Sequence, residues 1–151
     1  LNLDGNINWK HFVGNSARDT LSYSVSPGMD IRTCGQGTFR FGGTLGREDS
    51  GINTYSNDNW ALNASLFCPL GSDFAFSVYG SYGESDYDAR EAAYTTTRHD
   101  QKTTVGANLQ YAHKPSGLDG SLGVTYTHND SNLTLYEYDK WQVSASVKRR
   151  W

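Results

Sequence analysis

Six side chains in this chain have the types for redox or metal chemistry: Cys34, Cys68, His11, His99, His113 and His128. Two cysteines allow at most one disulfide and are too few for a cysteine-rich metal site. Both fall beside short turns in the strand reading given below. A Cys34–Cys68 disulfide is therefore expected if that end of the molecule faces an oxidising compartment. The histidines share no spacing typical of metal ligands, so they read as rim residues. A hydrolase needs a nucleophile with a base in reach, and neither Ser81 nor Ser131 has an evident one. The expectation is no enzyme, no metal and no cofactor. Asp86, Asp88, Glu91, Asp130, Glu137 and Asp139 make the longer polar segments acidic, which reads as solvated loop charge. Tyr55, Tyr87, Tyr94, Tyr136 and Tyr138 lie in or beside the same segments. Exposed tyrosine is a common contact residue at interfaces, so these five are candidates for partner recognition.

The elements that must carry these residues are strands. The 151 residues make one domain, 1–151, with 13% aromatic and only 19% charged residues. Four Glu and five Lys stand against sixteen Ser and thirteen Thr, and a soluble surface is normally richer in Lys and Glu. A net charge of −3 gives no electrostatic case for nucleic acid. The longest apolar runs reach three or four residues, too short for a membrane-spanning helix. Alternation of period two, the signature of strands, runs through eight segments near 3–13, 21–33, 38–47, 59–68, 74–82, 102–111, 118–127 and 141–148. The connections alternate between short turns (34–37, 69–73, 115–117) and longer polar stretches (14–20, 48–58, 84–98, 128–140). Short turns at one end and long loops at the other are the habit of outer-membrane barrels. The expected fold is all-β, an antiparallel up-and-down transmembrane β-barrel with eight strands visible in this chain.

Alternation alone does not say which face meets which solvent. One face is Val, Leu, Ile, Ala and Gly at mid-strand without formal charge; the other is mostly Ser, Thr, Asn, Gln and Gly. Aromatics on the apolar face gather near the strand ends. Trp9, Tyr23, Trp60, Tyr82, Tyr126 and Trp141 lie toward the long loops, and Phe39, Phe74, Tyr111 and Trp151 toward the short turns. Two such girdles suit the two membrane–water boundaries. The opposite face then lines a lumen holding Asp4, Lys10, Asp30, Arg32, Arg40, Lys102, Asp119, Lys148 and Arg150. In an eight-stranded barrel these charges read as an internal ion-pair network, because a barrel of that size has room for little beyond side chains. In a larger one they would line a channel. A soluble lipocalin-like barrel with an apolar ligand cavity also explains the alternation, but not the girdles.

The stretch from Gly123 to Trp151 adds a motif. Asn129, Ser131, Asn132, Leu135, Tyr136, Tyr138, Asp139, Lys140 and the terminal Trp151 form a loop and closing strand that resemble the C-terminal hairpin of the surface lipoprotein assembly modifiers of type XI secretion. The resemblance implies part of an outer-membrane translocon that exports lipoproteins or secreted proteins. Its implied partners are outer-membrane lipid, an exported client and the barrel-assembly machinery during insertion. Without that analogy, the same residues fit a small stand-alone barrel acting through its loops.

Overall fold

The computed structural model describes residues 1–14 and 18–149. Eight strands form a single sheet in sequence order: β1 (Asn2–Lys10), β2 (Thr20–Thr33), β3 (Gly37–Ser50), β4 (Asn57–Leu70), β5 (Phe74–Tyr87), β6 (His99–His113), β7 (Leu118–Ser131) and β8 (Tyr138–Arg149). Every pairing is antiparallel and joins neighbours in sequence. The outer edges of β1 and β8 do not meet, so the sheet is open. Arg150 and Trp151, read above as a lumen charge and a girdle aromatic, lie outside the described residues.

Residues paired across a ladder share a face, so the register fixes two surfaces. One carries Ile7 against Tyr23, Val25 against Leu45, Leu66 against Val78, Leu109 against Leu122 and Val124 against Val143. The other carries Ser26, Asn63 against Ser81, Thr104 against Thr127 and Ser121 against Ser146. Hydroxyls bridge this second surface directly, as between Ser26 and Thr44 at 2.9 Å and between Ser121 and Ser146 at 2.7 Å. On the apolar surface the expected girdle residues meet as pairs. Trp60 and Tyr82 have ring centroids 5.7 Å apart, Tyr126 and Trp141 4.8 Å, and Phe74 and Tyr111 4.8 Å. From Tyr82 down β5 to Phe74 the backbone rises roughly 26 Å at about 3.3 Å per residue. Nine residues span these margins, and a tilted strand crosses a membrane in about 9–11.

The sheet has no dry interior of its own. Among the described residues the only buried apolar side chains are Cys68 and Leu133. The accessible surface is 10148 Å², whereas a compact 16.7 kDa monomer would expose about 7,600 Å². Ile7, Val143 and Val147 are 79%, 75% and 80% exposed.

Several boundaries differ from the sequence reading. β1 stops at Lys10, so His11 and Val13 leave the ladder. Asp19 captures that segment, accepting the Phe12 N–H at 2.9 Å while His11 Nδ1 lies 2.9 Å from its other oxygen. The Phe12 amide holds the Asp19 carboxyl below its usual range, with His11 adding to the effect. At the long-loop end β3, β5 and β7 run on to Ser50, Tyr87 and Ser131, and β8 begins at Tyr138. The loops are correspondingly shorter than expected. Histidine–aspartate pairs continue the ladders above the aromatic rows: His99 Nδ1 sits 2.6 Å from Asp86, and His128 Nδ1 2.9 Å from Asp139. At the other end Gly71 and Gly117 take φ of +75° and +64°, the left-handed conformation that lets these turns be tight. There Cys34, in the β2–β3 turn, forms a disulfide with Cys68 of β4, with Cα atoms 5.6 Å apart.

One brace crosses the polar surface. Tyr79 of β5 lies over Gly106 of β6, and its hydroxyl is 2.6 Å from Thr125 Oγ1 of β7. A Cβ at Gly106 would sit 2.4 Å from Tyr79 Cζ and 2.5 Å from its hydroxyl. Gly106→Val should therefore displace the ring and cost about 1–3 kcal/mol as overpacking. Tyr79→Phe, which removes only the hydrogen bond, should cost about 1 kcal/mol. Urea unfolding of the refolded protein checks both; equal losses from the two variants would remove the brace from the account.

Candidate functional site

The most organised cluster of side chains is the loop end of the polar surface, where two loops are bound into one cap. Arg98, just before β6, sits at its centre. Its Nε lies 2.9 Å from both carboxylate oxygens of Asp100, and its Nη2 also donates to Asp100. Asp100 is only 6% exposed, so the guanidinium fork compensates a buried carboxylate. The guanidinium carbon lies 4.4 Å from the centroid of the Tyr87 ring and 3.5 Å from that of Tyr136, so the cation is held against two ring faces. The Tyr136 hydroxyl donates to Glu91, and that carboxylate pushes the phenol up to about 12.

The C-terminal motif supplies the rest of the cap. Asn132 accepts the His99 N–H at 2.8 Å and donates to the Thr97 carbonyl at 2.8 Å, tying the 88–98 loop to β7. Asn129 donates to the Tyr136 carbonyl at 2.9 Å, and Ser131 accepts the Leu133 N–H at 3.2 Å. Leu133 is thereby buried at 4% exposure. On the opposite surface, above Trp141, Asp139 takes the Tyr126 hydroxyl and pairs with His128, and those contacts hold its carboxyl below the usual range.

The five tyrosines offered as contact residues therefore divide. Tyr87 and Tyr136 are committed to Arg98 and are not free contact residues. Their stacking was hidden in the sequence because Tyr136 lies in a different segment from Tyr87 and Arg98. Tyr94 is half-buried, its N–H donated to the Glu91 carbonyl at 3.0 Å. Tyr55, with Arg18 over its ring at 5.7 Å, and Tyr138 remain 44% exposed. Leu135, beside the cap, is 70% exposed.

Asp4, Lys10, Asp30, Arg32, Arg40, Lys102, Asp119 and Lys148 all stand on the polar surface by register. Arg40 grips Asp30 with two bonds of 2.6 and 2.9 Å, Lys10 reaches Glu48 at 3.4 Å, and Lys148 lies across the ladder from Asp119. Among the described residues Asp30–Arg40 and Lys10–Glu48 are separate pairs. Among the described residues, Arg32 and Lys102 make no ion pair within 4.0 Å.

The residues missed by the sequence reading are Arg47, Arg98 and Asp100. Arg47 Nε donates to Asp49 at 2.8 Å, its two terminal nitrogens take Asp88 at 2.9 and 2.5 Å, and Asp58 approaches to 3.3 Å. Asp88 first, then Asp49, raise the guanidinium pKa. A basic and an acidic residue two apart, as in Arg47–Asp49 and Arg98–Asp100, share one side of extended backbone, a local signal that could have pointed to both clusters. Among the described residues no group of three or more His, Cys, Asp or Glu is placed to hold a metal ion.

An open, up-and-down, eight-stranded sheet with one charge-free apolar band, one hydroxyl- and amide-lined surface and a tied loop end defines an all-β protein whose fold is compatible with a membrane barrel wall. The chain belongs to the surface lipoprotein assembly modifier family, whose model matches residues 6–151. The match thus reaches far beyond the C-terminal hairpin that first suggested it, and it ties the chain to the assembly of surface lipoproteins. No curated protein and no solved structure matches it.

Proposed function

We propose that this chain forms wall strands of an outer-membrane β-barrel through which surface lipoproteins are exported. The apolar surface faces hydrocarbon, the polar surface faces the route, the loop end lies outside the cell, and the short turns face the periplasm. The observation that carries this reading is the charge-free apolar face, bounded at both margins by aromatic pairs and backed by no dry core. A soluble barrel would turn that face inward and bury it. The Cys34–Cys68 disulfide suits an oxidising periplasm. The mechanism is passive and needs no cofactor: the wall supplies the path, and the exposed parts of the loop end meet the client. In lipid an unpaired edge is untenable, because its N–H and C=O groups have no water to bind. The edges of β1 and β8 must then pair with each other or with further strands.

Electrophoresis of detergent-refolded protein, boiled against unboiled, with the detergent-corrected mass from light scattering, tests this. A heat-sensitive assembly larger than one chain supports wall strands completed by others. A compact heat-sensitive monomer means that the eight strands close on themselves and function belongs to the loops. Folding in plain buffer without detergent would sink the membrane reading.

A further inference from the structure

An open groove of about 740 Å³ runs across β1–β4. Its apolar lining is Gly5, Ile7, Tyr23, Val25 and Leu45, all on the apolar surface. Glycine makes its floor: a Cβ built on Gly5 meets nothing within 4 Å, so the space is open. Arg47 and Asp58 close its loop-side end. That end is acidic, not basic. The one guanidinium is shared among Asp49, Asp58 and Asp88, so three carboxylates face a single cation. In the membrane reading this end lies one row beyond Leu45 and Trp60, at the level of lipid headgroups.

The two ends of the groove ask different things of a ligand. The lining asks for hydrocarbon. The acidic end disfavours phosphate, since like charges at close range repel and the guanidinium is already bonded to Asp49 and Asp88. Phospholipids and other phosphate-bearing lipids meet that repulsion. The lipid anchor of a lipoprotein does not, because its acyl chains hang from thioether, ester and amide groups without a phosphate. We infer that the outer-face groove across β1–β4 seats the acyl chains of the lipoprotein client, and that the carboxylates around Arg47 select that anchor over phosphate-bearing lipid. This rests on the reading that the apolar surface meets lipid, and it adds where the client's anchor sits while its polypeptide passes.

The test uses the refolded chain in a non-ionic detergent with two probes carrying the same fluorophore: a dipalmitoylated cysteine peptide without charged residues, and dipalmitoyl phosphatidylglycerol. The lipopeptide should bind at least tenfold more tightly. Gly5→Phe, which fills open space, should remove that binding at least tenfold while leaving the boiled-versus-unboiled shift unchanged. Asp49→Asn combined with Asp58→Asn should raise phosphatidylglycerol binding and narrow the preference. Equal affinity for the two lipids, or lipopeptide binding indifferent to Gly5→Phe, overturns the proposal and marks the groove as ordinary annular surface. A dimer that Gly5→Phe dissolves also overturns it, by giving the groove to a second copy. A chain that fails to fold in detergent overturns the membrane reading and the groove together, whereas the other failures leave the membrane reading standing.

Discussion

Arg98→Ala should loosen the loop cap and lower stability by about 3–5 kcal/mol, the usual cost of stripping the partner from a buried ion pair. Asp100 would keep its charge at 6% exposure without a compensating cation. Tyr87 and Tyr136 would lose the guanidinium held between them, a contribution of about 0.5–2 kcal/mol on its own. The denaturation midpoint in urea measures the first effect. Proteolytic nicking within 88–98 measures the second, since that loop would then keep only its Asn132, Tyr136–Glu91 and Arg47–Asp88 ties. Arg98→Lys keeps the charge but loses the planar fork, so its loss should be intermediate. Arg98→Met with Asp100→Leu replaces both ions by apolar groups of similar size. It should recover most of the stability, because the penalty lies in the orphaned carboxylate rather than in the missing attraction. A loss below about 1 kcal/mol for Arg98→Ala would mean that water reaches Asp100 freely and that the cap is not held by this pair.

Opening the Cys34–Cys68 disulfide should cost a similar amount by an unrelated route. The bond closes a loop of 34 residues, and chain entropy in the unfolded state gives about 4 kcal/mol for that length at 25 °C. Cys34 lies in an exposed turn, so Cys34→Ala tests the cross-link with little change in packing. Cys68 is 3% exposed, so Cys68→Ser adds the burial of a hydroxyl and should lose somewhat more. Reduced wild-type protein and Cys34→Ala should share one unfolding midpoint. The double variant should be no worse than Cys68→Ser, because a cross-link is lost only once. Additive losses would instead assign each thiol a packing role and leave the bond with none.

The period-two pattern made the two surfaces legible, since Val25, Leu45, Leu109 and Val124 recur in step with the pleat and pair as that step requires. The turns were legible for a different reason: Gly71 and Gly117 stand where a left-handed residue is needed. What escaped the sequence lies above the aromatic rows. There the strands continue with charged and amide residues, and a polar continuation of a strand looks like a loop when hydrophobicity is the only guide. The two clusters escaped because each also depends on partners distant in sequence. Arg47 and Asp88 are 41 positions apart, and Tyr136 and Glu91 are 45 apart. Only the register brings them together. The motif at Asn129, Ser131, Asn132 and Tyr136 was visible as a pattern. Its physical work, fastening one loop to another, was not.

Each strand hydrogen-bonds only to its neighbours in sequence, and this bears on how such a sheet can change its width. No keystone strand locks remote parts of the sheet, and the one covalent tie, Cys34 to Cys68, spans only β3. A hairpin added or removed at either margin leaves every existing ladder intact, and one inserted between two strands breaks a single ladder and makes others in its place. The width of the sheet is then a matter of how many hairpins are strung together, so sheets of different width can share one construction rule. Adding a strand pair at a margin therefore widens the sheet without rewriting any pairing already made.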